Sequence, residues 1–452
     1  MPLTVLTDSD VRELLYTLTK EDIDELQSNL AEALHSYSTG DNNSPCCASF
    51  QPQRTVIKKN GVTTLFMPAS TGTSVGMKIV SLQQPDTPVH SKSSASSGTS
   101  ESLATTSGSM SSSTSVRSAT NDFGSMTLTP SSTMSLGRDS IDGSSFQAPT
   151  SVVSSQSTTP KGSVTLLDST GNPMGIVNAE ELTAFRTALA STLMLKKRQN
   201  VHTVTVFGAG KQAYWHIRLA LMLKGDQIRH VNIINRNFER SIKLMKAFQM
   251  TQESKEQWRK DIKFSAMSPE FGEYGRLLKE EVRKADVIFC CTPSVDPLFP
   301  AEFLTSREGR RKGRYIVAIG SYAPHMCELH PDIMKVAVEP NHGGHHHHRH
   351  ARQGGVVVVD SLESCLREAG EIVKAKLKPE HLVEIGELMM IKKAATREIE
   401  LGGPGEQGLV DWLTKGNVIY KSVGMGLLDL VVAGDLIRMG KERDVGVTIE
   451  DF

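Results

Sequence analysis

The run Val204-Thr-Val-Phe-Gly-Ala-Gly-Lys-Gln-Ala213 constrains the fold more than any other stretch of the chain. A β-branched strand enters a glycine turn, the apolar-rich segment Tyr214 to Leu223 reads as a helix, and a second strand arrives at His230-Val-Asn-Ile-Ile-Asn-Arg-Asn237. Parallel α/β sheets use this arrangement to present a pyrophosphate to a helix N-terminus. Gly208 permits the tight turn out of the strand. Gly210 lets the backbone approach phosphates with no Cβ in the way, and small Ala213 allows close helix–strand packing. The unpaired N–H groups of the first helical turn, which contains Lys211 and Gln212, point at the anion.

The end of the second strand selects between dinucleotides. An Asp or Glu there would bind the ribose 2′-hydroxyl of NAD, whereas Asn235-Arg236-Asn237 offers a guanidinium able to fork onto a 2′-phosphate. NADP(H) is therefore the preferred cofactor. The alternative, in which Arg236 is a solvated charge, has NAD(H) accepted.

Lys plus Arg and Asp plus Glu each number 50 in the 452 residues, so no net field draws the chain to nucleic acid or an anionic membrane. The expected partner is a small molecule. The N-terminus lacks a basic region followed by an apolar run, and no stretch approaches the ~20 apolar residues of a membrane span, so the expectation is cytoplasmic. The six cysteines fall at Cys46-Cys47, Cys290-Cys291, Cys327 and Cys365 with no C-x-x-C spacing, which leaves zinc ribbons and a disulfide framework unsupported. Adjacent Cys290 and Cys291 point to opposite faces of a strand and read as packing residues.

From Ser91 to Pro160, 36 of 70 residues are Ser or Thr, too few apolar groups to offset the entropy of ordering the backbone. We expect a disordered insertion between strand-like runs at Ser74–Val80 and Ser163–Leu167, because closure entropy grows only logarithmically with loop length. Asp8 to Leu34 has helical spacing with Asp8 or Ser9 as caps, and Arg54 to Met67 reads as two strands joined at Lys59-Asn60-Gly61. A hairpin follows around Asp168–Pro173, then a helix from Asn178 to Gln199 with acidic residues in its first turn and basic ones in its last. After Val204, further strands are expected at Val231–Ile234, Ile262–Ala266, Asp286–Cys291, Tyr315–Gly320, Val336–Val338 and Val356–Val359. Their alternation with helices predicts a doubly wound parallel sheet, whose carboxyl edge would carry Thr292, Pro293, Ser321 and Tyr322. The tract Asn341-His-Gly-Gly-His-His-His-His-Arg-His350 reads as a solvated loop rather than a metal site, since no carboxylate or cysteine completes a geometry.

Arg54, Met67-Pro68, Gly76-Met-Lys78, Leu167–Pro173, Leu182-Thr-Ala-Phe-Arg-Thr-Ala188, Gly208–Ala213, Ile319-Gly-Ser-Tyr-Ala-Pro324 and Tyr420-Lys-Ser-Val-Gly424 with Asp429 together resemble the ornithine cyclodeaminase/mu-crystallin family. The resemblance implies an α/β protein: a doubly wound, parallel-sheet Rossmann domain at 196–416, including the His-rich loop 341–355, plus an α+β substrate and dimerisation domain. The second domain is assembled from 1–90, 161–195 and 417–452, with 91–160 as the disordered insertion. It further implies a homodimer and hydride transfer at the carbon beside the carboxylate of a small amino or imino acid.

On this resemblance Arg54 and Arg186 grip the substrate carboxylate through bidentate charge-assisted bonds, beside Met67. Lys78 matches the family's active-site lysine and is suited to proton transfer if its pKa is depressed. Thr187, Thr292, Ser422 and Gly424 join the glycine turn around the cofactor. The chain departs from the family's deaminases at Gly320-Ser321-Tyr322, where those enzymes place an aspartate that handles the side-chain amine. A tyrosine with a pKa near 10 cannot replace a carboxylate base at neutral pH. The leading expectation is an NADP(H)-preferring reductase of a cyclic ketimine such as pyrroline- or piperideine-2-carboxylate, with Lys78, Tyr322 or a water as proton donor. Its alternatives are ornithine cyclodeaminase, converting L-ornithine to L-proline and ammonia, and an NADPH-dependent binding protein without turnover.

Overall fold

The computed structural model describes residues 2–40, 48–83, 160–252, 261–339, 355–389 and 404–452, with backbone alone at 49, 83, 250–252 and 404–407. The Ser/Thr-rich block, Cys46-Cys47 and the His-rich tract lie outside the described residues.

Two sheets organise the chain. The first has the order β15-β1-β6-β5-β4-β3-β2, with β1 (Leu3–Leu6), β2 (Thr55–Lys59), β3 (Val62–Ser70), β4 (Ser74–Gln83), β5 (Lys161–Asp168), β6 (Pro173–Asn178) and β15 (Val447–Ile449). Asn60 (φ 52°) and Gly61 (φ 73°) are both left-handed, which closes the β2–β3 hairpin with the twist the strands require. On β4, Gly76, Lys78 and Val80 face inward while Val75 and Met77 stay exposed. That alternation buries a lysine.

Over the inner face lie α1 (Asp8–Tyr16), α3 (Ala179–Leu195) and α12 (Gly426–Glu442), and α2 (Lys20–Thr39) packs on α3 and α12. The single helix expected over Asp8–Leu34 is two helices. Thr7 and Thr19 each form a capping box, with Asp10 and Asp22 respectively, so Thr7 rather than Asp8 or Ser9 is the cap and the chain restarts at Thr19. In α3, capped by Asn178, 15 of 17 residues are buried because the helix is wedged between β5 and α12 on one side and α4 on the other. It closes at Leu195, short of the expected Gln199.

The second sheet is wholly parallel, in the order β13-β12-β14-β11-β10-β7-β8-β9. Its strands are β7 (Thr203–Phe207), β8 (His230–Ile234), β9 (Lys263–Met267), β10 (Val287–Cys290), β11 (Tyr315–Ala318), β12 (Val357–Val359), β13 (Leu382–Glu384) and β14 (Val418–Lys421). Val287 and Phe289 enter one hydrophobic core while Ile288 and Cys290 enter the other, so the strand is apolar on both faces, as a helix-covered parallel sheet demands. The strand order reverses between β7 and β10, which sets the ligand crevice at their carboxyl ends.

Two further sequence expectations need correction, and one strand was not expected. Val336–Val338 is not a strand but the end of α8 (Pro331–Val338), which Pro331 in the first turn and the His330 side-chain cap start as a helix. Strand β13 was not foreseen. The domain boundary at 417 is displaced, because Val418–Lys421 pairs with β11 and β12 inside the second sheet. The chain returns to the first sheet only after Gly424. Among the described residues no helix is long and apolar enough to cross a membrane.

Candidate active site

The glycine turn sits where β7 meets α4 (Lys211–Lys224). Gly208 has φ +113°, and a Cβ there would stand 2.8 Å from the Cys291 carbonyl oxygen, so the position admits only glycine. Gly210 is the N-cap of α4, offers no side-chain cap, and faces open space where its Cβ would be. The first-turn N–H groups, at the positive end of the helix and with no side chain over Gly210, fit a dinucleotide pyrophosphate. Ala213 is fully buried behind this cradle.

The other expected cofactor residues divide. The Lys211 ammonium turns away to Glu180 (2.9 Å) and Glu181 (2.7 Å), leaving only its backbone toward the cradle. Gln212 Nε2 donates to the Thr183 carbonyl, and its Oε1 is buried without a partner among the described residues. Thr187 spends its hydroxyl on the Thr183 carbonyl at 2.8 Å. Asn235 Nδ2 donates to the Asn237 carbonyl, and Asn237 Oδ1 accepts from the Arg240 N–H at the start of α5 (Phe238–Gln252). Arg236 is left exposed between them.

The substrate side centres on one carboxylate. Asp429, in the first turn of α12, accepts at Oδ1 from Lys78 Nζ (2.7 Å) and from Arg186 Nε (3.1 Å), and all three residues are buried. Lys78 also donates to Thr183 Oγ1 at 2.8 Å. Burial pushes the Lys78 amine down to about 8; the neighbouring Arg186 adds to this and Asp429 opposes it. Arg186 Nη1 is buried with no partner among the described residues. Two cations against one carboxylate leave an excess positive charge beside an unused donor, which suits an incoming carboxylate.

Gly424 bounds this group. It has φ +84°, and a Cβ there would lie 3.2 Å from Arg186 Nη2. Its N–H and the Ser422 hydroxyl both donate to Asp360 Oδ2, at 2.8 and 2.6 Å, so the expected roles of Ser422 and Gly424 are organised by an aspartate at the end of β12. A cleft opens beyond Gly424, lined by Arg54, Met67, Met425 and Glu368. Met67 is β3's register partner for Lys78.

Arg54 is not a free guanidinium. Its Nη2 is bonded to Glu368, on α9 (Leu362–Glu368), and also donates to the Tyr322 carbonyl at 3.4 Å. Tyr322 therefore meets the site through its main chain, while its side chain is 39% exposed and partial burial raises its phenol pKa.

Sequence reasoning missed a layer of buried acids beneath the carboxyl edge of the second sheet. Glu328 Oε1 accepts from the Thr292 N–H (2.8 Å) and Oε2 from the Gly320 N–H (2.6 Å). Glu371, on α10 (Gly370–Ala375), accepts from the Ser321 hydroxyl and the Glu328 N–H, and Lys421 Nζ donates to the Ser321 carbonyl at 2.6 Å. Only Asp360 carried a local signal, an acid just beyond the strand end in Val359-Asp360-Ser361; Glu328 and Glu371 follow no strand end.

The fold and site define a two-domain α/β protein with a dinucleotide cradle in one domain and a buried Lys–Asp–Arg group bordering it in the other. The profile of the ornithine cyclodeaminase/mu-crystallin family matches residues 101–400, and the chain belongs to that family. It is 27% identical over 300 residues to a Delta(1)-pyrroline-2-carboxylate reductase of Bacillus cereus, covering 65% of this chain and 75% of that one. The fold is similar to that of Thermococcus litoralis Delta(1)-pyrroline-2-carboxylate reductase, solved with NADH and L-proline (TM-score 0.60, 16% identity, 99% of this chain and 100% of that one). It is also similar to an archaeal alanine dehydrogenase dimer with bound NAD (TM-score 0.58, 18% identity, 100% of both chains).

Proposed function

We propose that the protein is an NADP(H)-preferring reductase of cyclic ketimines bearing an adjacent carboxylate, of the pyrroline- or piperideine-2-carboxylate type. The observation that supports this most is the unpartnered Arg186 Nη1 beside a lysine whose pKa is lowered to about 8. The bound nicotinamide supplies hydride to the imine carbon. Arg186 holds the carboxylate, with Arg54 joining once it is released from Glu368, and this fixes the α-carbon in the crevice. Lys78 gives a proton to the imine nitrogen, and Asp429 keeps the ammonium oriented and charged. Exclusion of water around Lys78, which is 3% exposed, strengthens each of these contacts.

The exposed Arg236, with no acid in 235–237, supports the 2′-phosphate preference. The chain is further proposed to act as a homodimer through the outer face of the first sheet, where Ile57, Val75 and Met77 are exposed. An assay of NADPH and NADH oxidation with both imino acids tests the activity. NADPH-dependent formation of proline or pipecolate supports it. Ammonia release from ornithine without net cofactor change would favour the cyclodeaminase reading instead.

A further inference from the structure

Three strand-end loops meet at the crevice in the second sheet, and one buried carboxylate ties two of them together. A Cβ on Gly208, after β7, would press against the Cys291 carbonyl and lie 3.2 Å from Thr292 Cγ2, while one on Gly320, after β11, would collide with the Thr292 carbonyl and with Glu328. The loops are therefore in direct contact, and a shift in one displaces its neighbour. Glu328 closes the arrangement by accepting both the Thr292 and Gly320 N–H groups on its two oxygens.

We infer that Glu328 is a positioning residue for the cofactor: its carboxylate sets the backbone of Thr292 and Gly320 against the glycine turn, and so determines the shape of the crevice that takes the nicotinamide dinucleotide. A fully buried acid is costly and persists where its hydrogen bonds need it. The groups facing it are Lys421 from β14, Glu371 from α10, Cys290 at the end of β10, Cys291 just beyond it and its chain neighbour Cys327. Burial pushes its pKa up to about 7, against the attraction of Lys421 and with the repulsion of Glu371. Protonation converts one oxygen into a donor that faces a backbone N–H. The two-loop tie holds fully only above neutral pH.

The inference rests on the cofactor assignment, which NADPH binding to the wild-type protein tests separately. The experiment is direct titration of NADPH fluorescence and of NADH across pH 6 to 8.5, on wild type and Glu328→Gln, with melting temperatures measured in parallel. NADH is used for the pH series because it has no titrating 2′-phosphate. The expected result is a roughly tenfold weaker NADPH affinity in the variant, from a lost charge-assisted hydrogen bond. Wild-type NADH affinity should weaken as pH falls from 8 to 6, and this dependence should vanish in the variant. A variant that melts earlier but binds within twofold of wild type with the same pH profile would overturn the inference. If the variant does not fold, a flat wild-type pH profile for NADH overturns it equally.

Discussion

Lys78 Nζ donates to Asp429 Oδ1 across 2.7 Å, joining a strand of the first sheet to the opening turn of the helix that follows the chain's return from the second. The pair is 351 residues apart in sequence and shut off from solvent. A buried cation of this kind needs its partner. Asp429→Ala should lower stability by about 3–5 kcal/mol, since it leaves two buried cations uncompensated. Denaturant unfolding checks this, and a loss under about 1 kcal/mol would contradict the burial of the group.

Lys78 as proton donor sets a pH dependence. The donor works in its charged form, and its pKa is lowered to about 8, so kcat/KM should hold near neutrality and decline as pH rises through about 8. Asp429 raises that pKa, so Asp429→Asn should move the limb to lower pH. Lys78→Met should cost about 10²- to 10⁴-fold in kcat with NADPH affinity unchanged.

Gly424→Ala probes the space around Arg186. The substitution forces a left-handed alanine and places a methyl 3.2 Å from Arg186 Nη2. It should destabilise by roughly 1–2 kcal/mol and raise KM for the imino acid more than it lowers kcat. Equal loss in both constants would place Arg186 elsewhere than on the substrate carboxylate.

The Arg54–Glu368 contact makes the opposite prediction. Glu368→Gln weakens the competitor for Arg54, so KM for the carboxylate substrate should fall, by about fivefold for an interaction of ~1 kcal/mol. A higher KM would show that Glu368 holds Arg54 in place instead.

Local chemistry made much of this legible. The glycine turn, the β2–β3 hairpin at Asn60-Gly61 and the cap at Asn178 follow from φ preferences and side-chain hydrogen bonding within a few residues. The sequence pattern failed where long-range context decided. Val336–Val338 looks like a strand until Pro331 and His330 start a helix, and nothing local indicates that Val418–Lys421 slots between β11 and β12. The acids at 328, 360 and 371 escaped notice for the same reason. Their partners include backbone N–H groups and side chains up to 64 residues away, brought together by the sheet order.

The central claim is hydride delivery to the α-carbon of a carboxylate-bearing imine. It is tested most directly with NADPH deuterated at the transferable position of the nicotinamide, pyrroline-2-carboxylate as substrate, and mass spectrometry of the product. The account predicts proline carrying a single deuterium at the α-carbon, formed about 10²- to 10⁴-fold more slowly by the Lys78→Met enzyme. Unlabelled proline, or no oxidation of NADPH by the wild-type enzyme, would contradict it.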